Sequence, residues 1–234
     1  MDLEADIPPS GSRQTARRSS PGVAPSNCDA APAPGAASSF GAEVTPLIDA
    51  EGLVGARGSH QLFGPLDLTL SPGGAIVIGG ANGSGKSTLL RILAGLLAPE
   101  AGAVRANAAL RYLGHHDAVK PALTVVENLA FWQRFNGSDA SMAPLAAVGL
   151  ERLAAMPARY LSAGQRRRLA LARTLDASAP IWLLDEPTNG LDAASVTRLE
   201  AEINRHRNAG GAVAVATHAA LRLPESQRLE LGRT

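Results

Sequence analysis

The residues best suited to chemistry form one short glycine-rich run. Gly80-Ala81-Asn82-Gly83-Ser84-Gly85-Lys86-Ser87, with Thr88 next, matches the pattern G-x-x-x-x-G-K-[ST]. The run lies between a predicted buried strand, residues 75–78, and a predicted helix, residues 87–97. Glycines let backbone N–H groups approach phosphate oxygens, the Lys86 ammonium neutralises them, and the Ser87 hydroxyl can bind Mg²⁺. The sequence therefore predicts a site for nucleotide phosphates, a feature that kinases, GTPases, recombinases and transporter motors share.

Two consecutive carboxylates follow a second predicted strand. Residues 181–184 are wholly apolar, and Asp185 and Glu186 come directly after them. Ligand sites of open α/β sheets lie at the carboxyl ends of the strands. Asp185 can hold Mg²⁺ through water, and Glu186 can orient and deprotonate an attacking water. Acidic residues at strand ends also serve as helix caps, but beside a phosphate site the pair favours hydrolysis over simple binding.

A third run predicts another helix N-terminus. Leu161-Ser162-Ala163-Gly164-Gln165 is followed by three arginines. The Ser162 hydroxyl and the N–H groups after it suit an anion. Taken alone, a Ser-capped surface helix explains the run equally well. Its place between the glycine-rich run and Asp185 favours the functional interpretation.

Together these motifs resemble those of ABC-type ATPases. The third run is similar to the LSGGQ signature of that family, with Ala163 in place of the first glycine. Asn189-Gly190-Leu191-Asp192 resembles the family's D-loop, and Thr217-His218 resembles the segment that carries its switch histidine.

The resemblance implies a set of ligands and roles. ATP and Mg²⁺ are the expected cofactors, with Ser87 and Asp185 at the metal and Glu186 and His218 in hydrolysis. The glycine-rich run, Thr88, the signature residues and Asp192 are expected at the nucleotide. In the family two chains pair head to tail, so that each ATP lies between the glycine-rich run of one chain and the signature of the other. We therefore expect a homodimer.

A longer segment narrows the resemblance. Residues 112–121, with Leu123-Thr124 and Glu127-Asn128-Leu129 after them, resemble the Q-loop region of the CcmA family, the ATPases of the haem exporter and cytochrome c maturation system. This resemblance implies an integral membrane permease similar to CcmB as a partner, together with further cytochrome c maturation proteins. It also implies a peripheral position on the cytoplasmic side of the bacterial inner membrane.

Two features depart from the family pattern. His116 stands at the position of the Q-loop glutamine, where the resemblance places it at the nucleotide, and imidazole is a poorer ligand for Mg²⁺. No aromatic residue lies between positions 47 and 60 to stack on adenine. Two alternatives remain, another small-substrate ABC transporter and a soluble ABC ATPase without a transport role. A P-loop kinase would leave the signature and His218 unused.

The elements that must position these residues alternate in type. Strands are predicted over residues 47–54, 62–70, 75–78, 110–113, 181–184 and 212–216, and helices over residues 87–97, 124–135, 145–156, 162–175 and 193–208. Buried strands that alternate with helices predict a parallel sheet covered on both faces. We expect an α/β P-loop NTPase with a RecA-like core, a small helical subdomain at about residues 116–175, and antiparallel strands on the N-terminal side.

Composition bounds the remaining possibilities. Residues 1–45 are dominated by Pro, Ala, Ser and Gly, and we expect a disordered leader ahead of one domain over residues 46–234. The net charge of +1 gives no field for binding nucleic acid, so no such partner is expected. The single cysteine, Cys28, excludes an internal disulfide. No apolar run reaches the roughly 18 residues of a transmembrane helix.

Overall fold

A computed structural model describes residues 45–175 and 178–232 of the chain. All of these belong to one unit, Ala42–Thr234. The predicted leader up to residue 44, including Cys28, lies outside the described residues. The strands are β1 (Ile48–Arg57), β2 (His60–Leu70), β3 (Ala75–Gly80), β4 (Ala101–Ala106), β5 (Leu110–Leu113), β6 (Ile181–Asp185), β7 (Ala212–Ala216) and β8 (Gln227–Leu231).

The strands form two sheets of opposite character. The first is antiparallel and has the order β2-β1-β4, with Ile48 opposite Leu70 in its hairpin. The second has the order β5-β6-β7-β3-β8, and all of its neighbouring strands run parallel. The predicted fold class, an α/β core with antiparallel strands on the N-terminal side, is confirmed.

Side-chain alternation along the parallel sheet divides the core into two layers. Trp182 and Leu184 of β6 join one buried cluster, and Ile181 and Leu183 join the other. Because both faces of the sheet are covered, every residue of β6 and β7 is buried. Their sequences are accordingly continuous apolar runs, except for Asp185 at the end of β6.

Five α-helices within the described ranges cover this sheet. They are α1 (Lys86–Leu93), α2 (Val125–Phe135), α3 (Ala143–Ala147), α4 (Ala163–Thr174) and α5 (Ala193–Asn208). Apolar residues of α1 pack with the antiparallel sheet on one face, and those of the other helices lie on the opposite face. Thr124 begins α2 and Ser162 begins α4, each in a capping box that satisfies backbone N–H groups of the first turn.

Two predicted helices are shorter in the structure. The helix expected over residues 87–97 ends at Leu93, because Gly95 takes a φ of 69°, a left-handed conformation that terminates helices. The helix expected over residues 145–156 is wrong for most of its length. Gly149 has a φ of 67°, so α3 ends before it and only a 3-10 turn, Glu151–Leu153, follows.

Candidate nucleotide-binding and hydrolysis site

Three neighbouring strands bring the predicted site residues to one edge of the parallel sheet. Strands β6, β7 and β3 are adjacent, and Ala216 of β7 pairs with Asp185 on one side and Ile78 on the other. The glycine-rich run begins at the end of β3, Glu186 follows β6, and His218 lies just beyond β7. Motifs far apart in sequence therefore meet at the carboxyl ends of the strands, where the sequence predicted them.

The glycine-rich run turns tightly between β3 and α1. Gly80, Gly83 and Gly85 have φ values of 132°, 81° and 101°, which residues with a side chain rarely adopt. A Cβ on Gly80 would lie 2.5 Å from the carbonyl oxygen of Leu231, so that glycine is also required by space. Because α1 begins at Lys86, its first unpaired N–H groups and the positive end of its dipole face the loop. This is the geometry of an anion site.

Lys86 is buried against this loop. Its Nζ donates hydrogen bonds of 2.8 Å to the carbonyl of Gly80 and 3.1 Å to the carbonyl of Ala81. The same atom lies 3.1 Å from Nε2 of His218. The loop carbonyls thus hold the ammonium at the edge where the three motifs meet.

Ser87 and Asp185 form an oxygen-rich pair at the start of α1. Asp185 is fully buried, and its Oδ1 accepts a 3.0 Å hydrogen bond from Ser87 Oγ. Its Oδ2 is buried and has no hydrogen-bond partner among the described residues, which is unfavourable for a carboxylate. Burial, opposed by Arg91 and reinforced by the Asp185 charge, raises the pKa of the nearby Tyr112 hydroxyl. A hydroxyl beside an unsatisfied carboxylate oxygen fits a hard divalent cation such as Mg²⁺.

Glu186 and His218 form the second pair. The Oε1 atom of Glu186 lies 3.3 Å from Nε2 of His218, and the backbone N–H of His218 donates to Oε2 at 3.4 Å. The Glu186 backbone has a φ of 47°, an unfavourable value for a residue with a side chain, and its N–H is held by the carbonyl of Ala216. The strand edge therefore holds the buried Glu186 carboxylate beside His218, on a residue whose backbone is strained.

These residues share one cavity of about 670 Å³. Of the predicted site residues, its lining includes Asn82, Gly83, Gly85, Lys86, Ser87, Thr88, Glu186 and His218. Three further predicted residues are not in the lining but accept hydrogen bonds from residues that are. The carbonyls of Gly80 and Ala81 accept from Lys86, and Asp185 accepts from Ser87. No Phe, Tyr or Trp is among the described residues of the lining.

The signature run lies outside this cavity. Leu161 is buried, Ser162 and Ala163 are exposed, and Ser162 Oγ accepts a hydrogen bond of 3.2 Å from the N–H of Gln165. A Cβ on Gly164 would lie 2.7 Å from the carbonyl of Gly190, so α4 begins in close contact with the predicted D-loop.

Asp192 also lies outside the cavity, as the N-cap of α5. Its side chain accepts a 2.7 Å hydrogen bond from the N–H of Ser195, which lowers the pKa of the carboxyl. A role for Asp192 at a nucleotide stays a prediction.

The sequence profile of the family described as ABC transporter matches residues 63–189. A cytochrome c biogenesis ATP-binding export protein CcmA from Paramagnetospirillum magneticum is 48% identical over 200 residues, covering 78% of this chain and 92% of that protein. The protein of the same name from Hyphomonas neptunium is 49% identical over 187 residues, covering 80% and 97%. The chain belongs to the CcmA family of ABC transporter ATP-binding proteins. It is therefore an ABC-type ATPase, and its cassette binds ATP.

Solved structures of ABC cassettes share the fold of this chain. An ABC transporter ATP-binding protein from Pyrococcus furiosus superposes with a TM-score of 0.71 at 23% identity, covering 79% of this chain and 96% of that one. A cassette solved as a dimer in a post-hydrolysis state with ADP and phosphate gives a TM-score of 0.66 at 25% identity, covering 74% and 88%. The second structure shows that cassettes of this fold form dimers.

Arg167 of this CcmA-family chain was not predicted as a site residue. It is buried on α4 and donates to the carbonyls of Asp185 and Glu186 at 2.8 and 2.9 Å. Its other amino group donates to the carbonyl of Gly114 at 2.9 Å and forms an ion pair with Asp117 at 3.3 Å. One side chain thus links helix α4 to the carboxyl end of β6 and to the loop after β5. The sequence signal was the run of three arginines, which does not reveal the buried one.

The Q-loop of this CcmA-family chain places its two histidines differently. His115, which was not predicted at the site, lines the cavity with its Nε2 3.3 Å from Ser87 Oγ. His116, predicted at the nucleotide, is exposed and is not among the lining residues, so its role stays a prediction. Across the described ranges, 45–175 and 178–232, no helix has the length and apolarity needed to cross a bilayer.

Proposed function

We propose that the chain is the ATP-hydrolysing subunit of an export complex that serves cytochrome c biogenesis. The observation that carries this proposal is the 48% identity to CcmA over 92% of that protein. It is supported by the convergence of Lys86, Asp185, Glu186 and His218 at one strand edge. Turnover of ATP needs each of the groups that meet there.

The mechanism follows from the positions of these side chains. The backbone N–H groups of the glycine-rich run and the Lys86 ammonium bind the β and γ phosphates of ATP. Ser87 Oγ and the Asp185 carboxylate would hold Mg²⁺, which neutralises charge on the phosphate oxygens. Glu186 accepts a proton from the attacking water as the bond between the γ phosphorus and its bridging oxygen breaks and ADP leaves. His218, in contact with both Glu186 and Lys86, reports the presence of the γ phosphate.

The signature run is proposed to complete the site of a second chain. Ser162 and Ala163 are exposed and lie outside the cavity that holds Lys86. The first N–H groups of α4 are therefore open to an anion that another molecule carries. A head-to-tail homodimer would place Leu161, Ser162, Ala163, Gly164, Gln165 and Asp192 of one chain against the ATP of its partner.

The membrane half of the complex is proposed to be a permease similar to CcmB, with further cytochrome c maturation proteins. The chain would then act as a peripheral subunit on the cytoplasmic side of the bacterial inner membrane. Within the domain over residues 46–234 we assign residues about 116–175 to the helical subdomain, which contains α2, α3 and α4. The balanced net charge of +1 is consistent with a function that involves no nucleic acid.

The test of hydrolysis is the substitution Glu186→Gln, which keeps the size of the side chain and removes its basicity. We expect ATP turnover to fall at least about 100-fold, the usual contribution of a general base. ATP should then hold the variant as a dimer in size-exclusion chromatography. Glu151→Gln is the matched control, since Glu151 is exposed on a 3-10 turn outside the cavity and should keep wild-type turnover. Unchanged turnover in Glu186→Gln would exclude the assigned base.

The test of the export role uses cells that lack their own copy of this ATPase. The wild-type gene should restore covalent haem staining of c-type cytochromes, and the Glu186→Gln gene should not. Restoration by the inactive variant would show that ATP turnover at this site does not serve cytochrome c biogenesis.

A further inference from the structure

Helix α1 begins without a capping side chain. Its N-cap is Gly85, which has a φ of 101° and makes no side-chain cap hydrogen bond, whereas Thr124 and Ser162 cap α2 and α4. The Gly85 carbonyl accepts the first helical hydrogen bond, at 2.8 Å from the N–H of Leu89. Because no side chain fixes the first turn of α1 from within, contacts from outside the helix must set the position of Gly85.

Two residues of β2 contact the glycine-rich run at this point. A Cβ on Gly85 would lie 2.8 Å from Cδ1 of Phe63 and 3.0 Å from Cβ of Leu62, so both side chains pack directly against the loop backbone. The register between β1 and β2 shifts on either side of the pair Gly55–Phe63. Such a bulge redirects side chains, which explains how two successive residues of one strand reach the same loop.

The ring of Phe63 also packs tightly on β1. A Cβ on Gly55 would lie 2.2 Å from Cε1 and 2.3 Å from Cζ of the ring, and Phe63 is only 3% exposed. The ring atoms Cδ1 and Cε1 therefore border both Gly55 and Gly85. Since protein interiors are close-packed and an aromatic ring is rigid, a displacement of the ring at Gly55 also changes its contact with Gly85.

We propose that Phe63 is a positioning residue for phosphate binding and acts through Gly85. This inference rests on the proposed function, because that function places the phosphates of ATP at the glycine-rich run. Phe63 is not a lining residue of the cavity, but Gly85 and Lys86 are. The ring, supported by Gly55, fixes the point from which the first N–H groups of α1 and the Lys86 side chain extend. These groups bind an anion well only when they are aligned on it.

The experiment compares Phe63→Leu with Ile48→Val in the full chain. Ile48 is fully buried in the same apolar cluster, but it lies at the other end of β1, opposite Leu70. Both substitutions remove a small volume from this cluster, so urea denaturation should give similar losses in the free energy of unfolding. Only Phe63→Leu changes the contact with Gly85, which makes Ile48→Val the matched control.

Calorimetric titration with a non-hydrolysable ATP analogue measures the effect on binding. We expect the Kd for the analogue to rise about tenfold in Phe63→Leu, the scale for one charge-assisted hydrogen bond lost from the phosphates, and to stay unchanged in Ile48→Val. The KM for ATP should rise with the Kd. The kcat at saturating ATP should stay within about threefold of wild type, because Glu186 and His218 are untouched.

A second variant moves the ring without removing it. The methyl group of Gly55→Ala would collide with Cε1 and Cζ of Phe63, so the ring must shift and the Kd for the analogue should rise. Leucine has no atoms at the Cε1 and Cζ positions. The double variant Gly55→Ala/Phe63→Leu should therefore bind the analogue no more weakly than Phe63→Leu alone, a non-additive result.

Three outcomes overturn the proposal and leave the proposed ATPase site intact. An unchanged Kd in Phe63→Leu, together with a lower free energy of unfolding, would show that the ring only fills the core. An equal rise of the Kd in Ile48→Val would assign the effect to lost stability. Multiplying effects in the double variant would show that Gly55 does not act through the ring. Absence of binding by wild type would overturn the proposed function as well. Equal far-UV circular dichroism verifies that the variants fold.

Discussion

Two regions of this molecule each contain a helix N-terminus, but their side chains differ. The cavity edge contains Lys86, Glu186 and His218, and the signature edge contains residues 161–165. At the cavity edge, three adjacent strands bring His218 Nε2 to 3.1 Å from Lys86 Nζ and 3.3 Å from Glu186 Oε1. At the signature edge, the side chains of Ser162 and Gln165 each accept a hydrogen bond from the backbone N–H of the other residue. Each edge includes a helix N-terminus, and at the cavity edge His218 contacts both Lys86, the first residue of α1, and Glu186. The proposed head-to-tail dimer requires this difference, because in it one chain supplies the catalytic half of one site and the anion-binding half of the other.

The strongest test of this division mixes two defective chains. Lys86→Ala removes the ammonium from the cavity edge, and Ser162→Arg blocks the signature edge. We expect each variant alone to lose at least about 100-fold in ATP turnover, the scale for loss of a group that stabilises transition-state charge. In a head-to-tail heterodimer one site carries both defects and the other carries none, so the mixture should regain turnover.

The matched control for that experiment mixes Lys86→Ala with Glu186→Gln. Both substitutions lie at the cavity edge, so every site of the heterodimer has one defect and no turnover should return. Steady-state phosphate release measures both mixtures. Equal activity in the two mixtures would refute the division of each site between two chains.

The next largest effect is expected at Arg167, which joins the two edges within one chain. Arg167→Met removes the bonds to the carbonyls of Asp185, Glu186 and Gly114 and leaves Asp117 without its ion pair. We expect the free energy of unfolding to fall by about 2–4 kcal/mol, as for loss of a buried polar network. The turnover number should fall while the Kd for ATP changes little, because Lys86 and the glycine-rich run are untouched.

A neighbouring arginine provides the comparison for Arg167. Arg166 is half-buried, and the one hydrogen bond that its side chain makes in the described residues is to the carbonyl of Leu161 in the same segment. Arg166→Met should therefore lower the free energy of unfolding by about 1 kcal/mol or less. Urea denaturation measures both variants. Equal losses would show that Arg167 does not act as a link between the edges.

The sequence predicted most of the residues at the cavity edge, but not the residues that link this edge to the rest of the domain. Strands β6 and β7 were predicted because burial on both faces leaves an uninterrupted apolar run. Strands β4 and β8 were not predicted, because each is mostly exposed and carries small or charged residues. The resemblance identified the Q-loop, but not which of His115 and His116 faces the cavity. Successive side chains point in different directions, and only the path of the backbone selects one. The same argument applies to Arg167 within its run of three arginines.

The smallest expected effect separates a structural role of Ser162 from its role at the signature edge. Ser162 and Thr124 head equivalent capping boxes, with Gln165 and Glu127 as their partners. Ser162→Ala and Thr124→Ala should each lower the free energy of unfolding by about 1 kcal/mol, the usual contribution of an N-cap side chain. If Ser162 also contacts the ATP of a second chain, Ser162→Ala should lower ATP turnover and Thr124→Ala should not. Because the two variants lose the same free energy of unfolding, a difference in stability would not account for that result. Equal ATP turnover in the two variants, with equal unfolding free energies, would show that the Ser162 side chain acts only as a helix cap. The backbone N–H groups of α4 would then be the only anion-binding groups proposed at the signature edge.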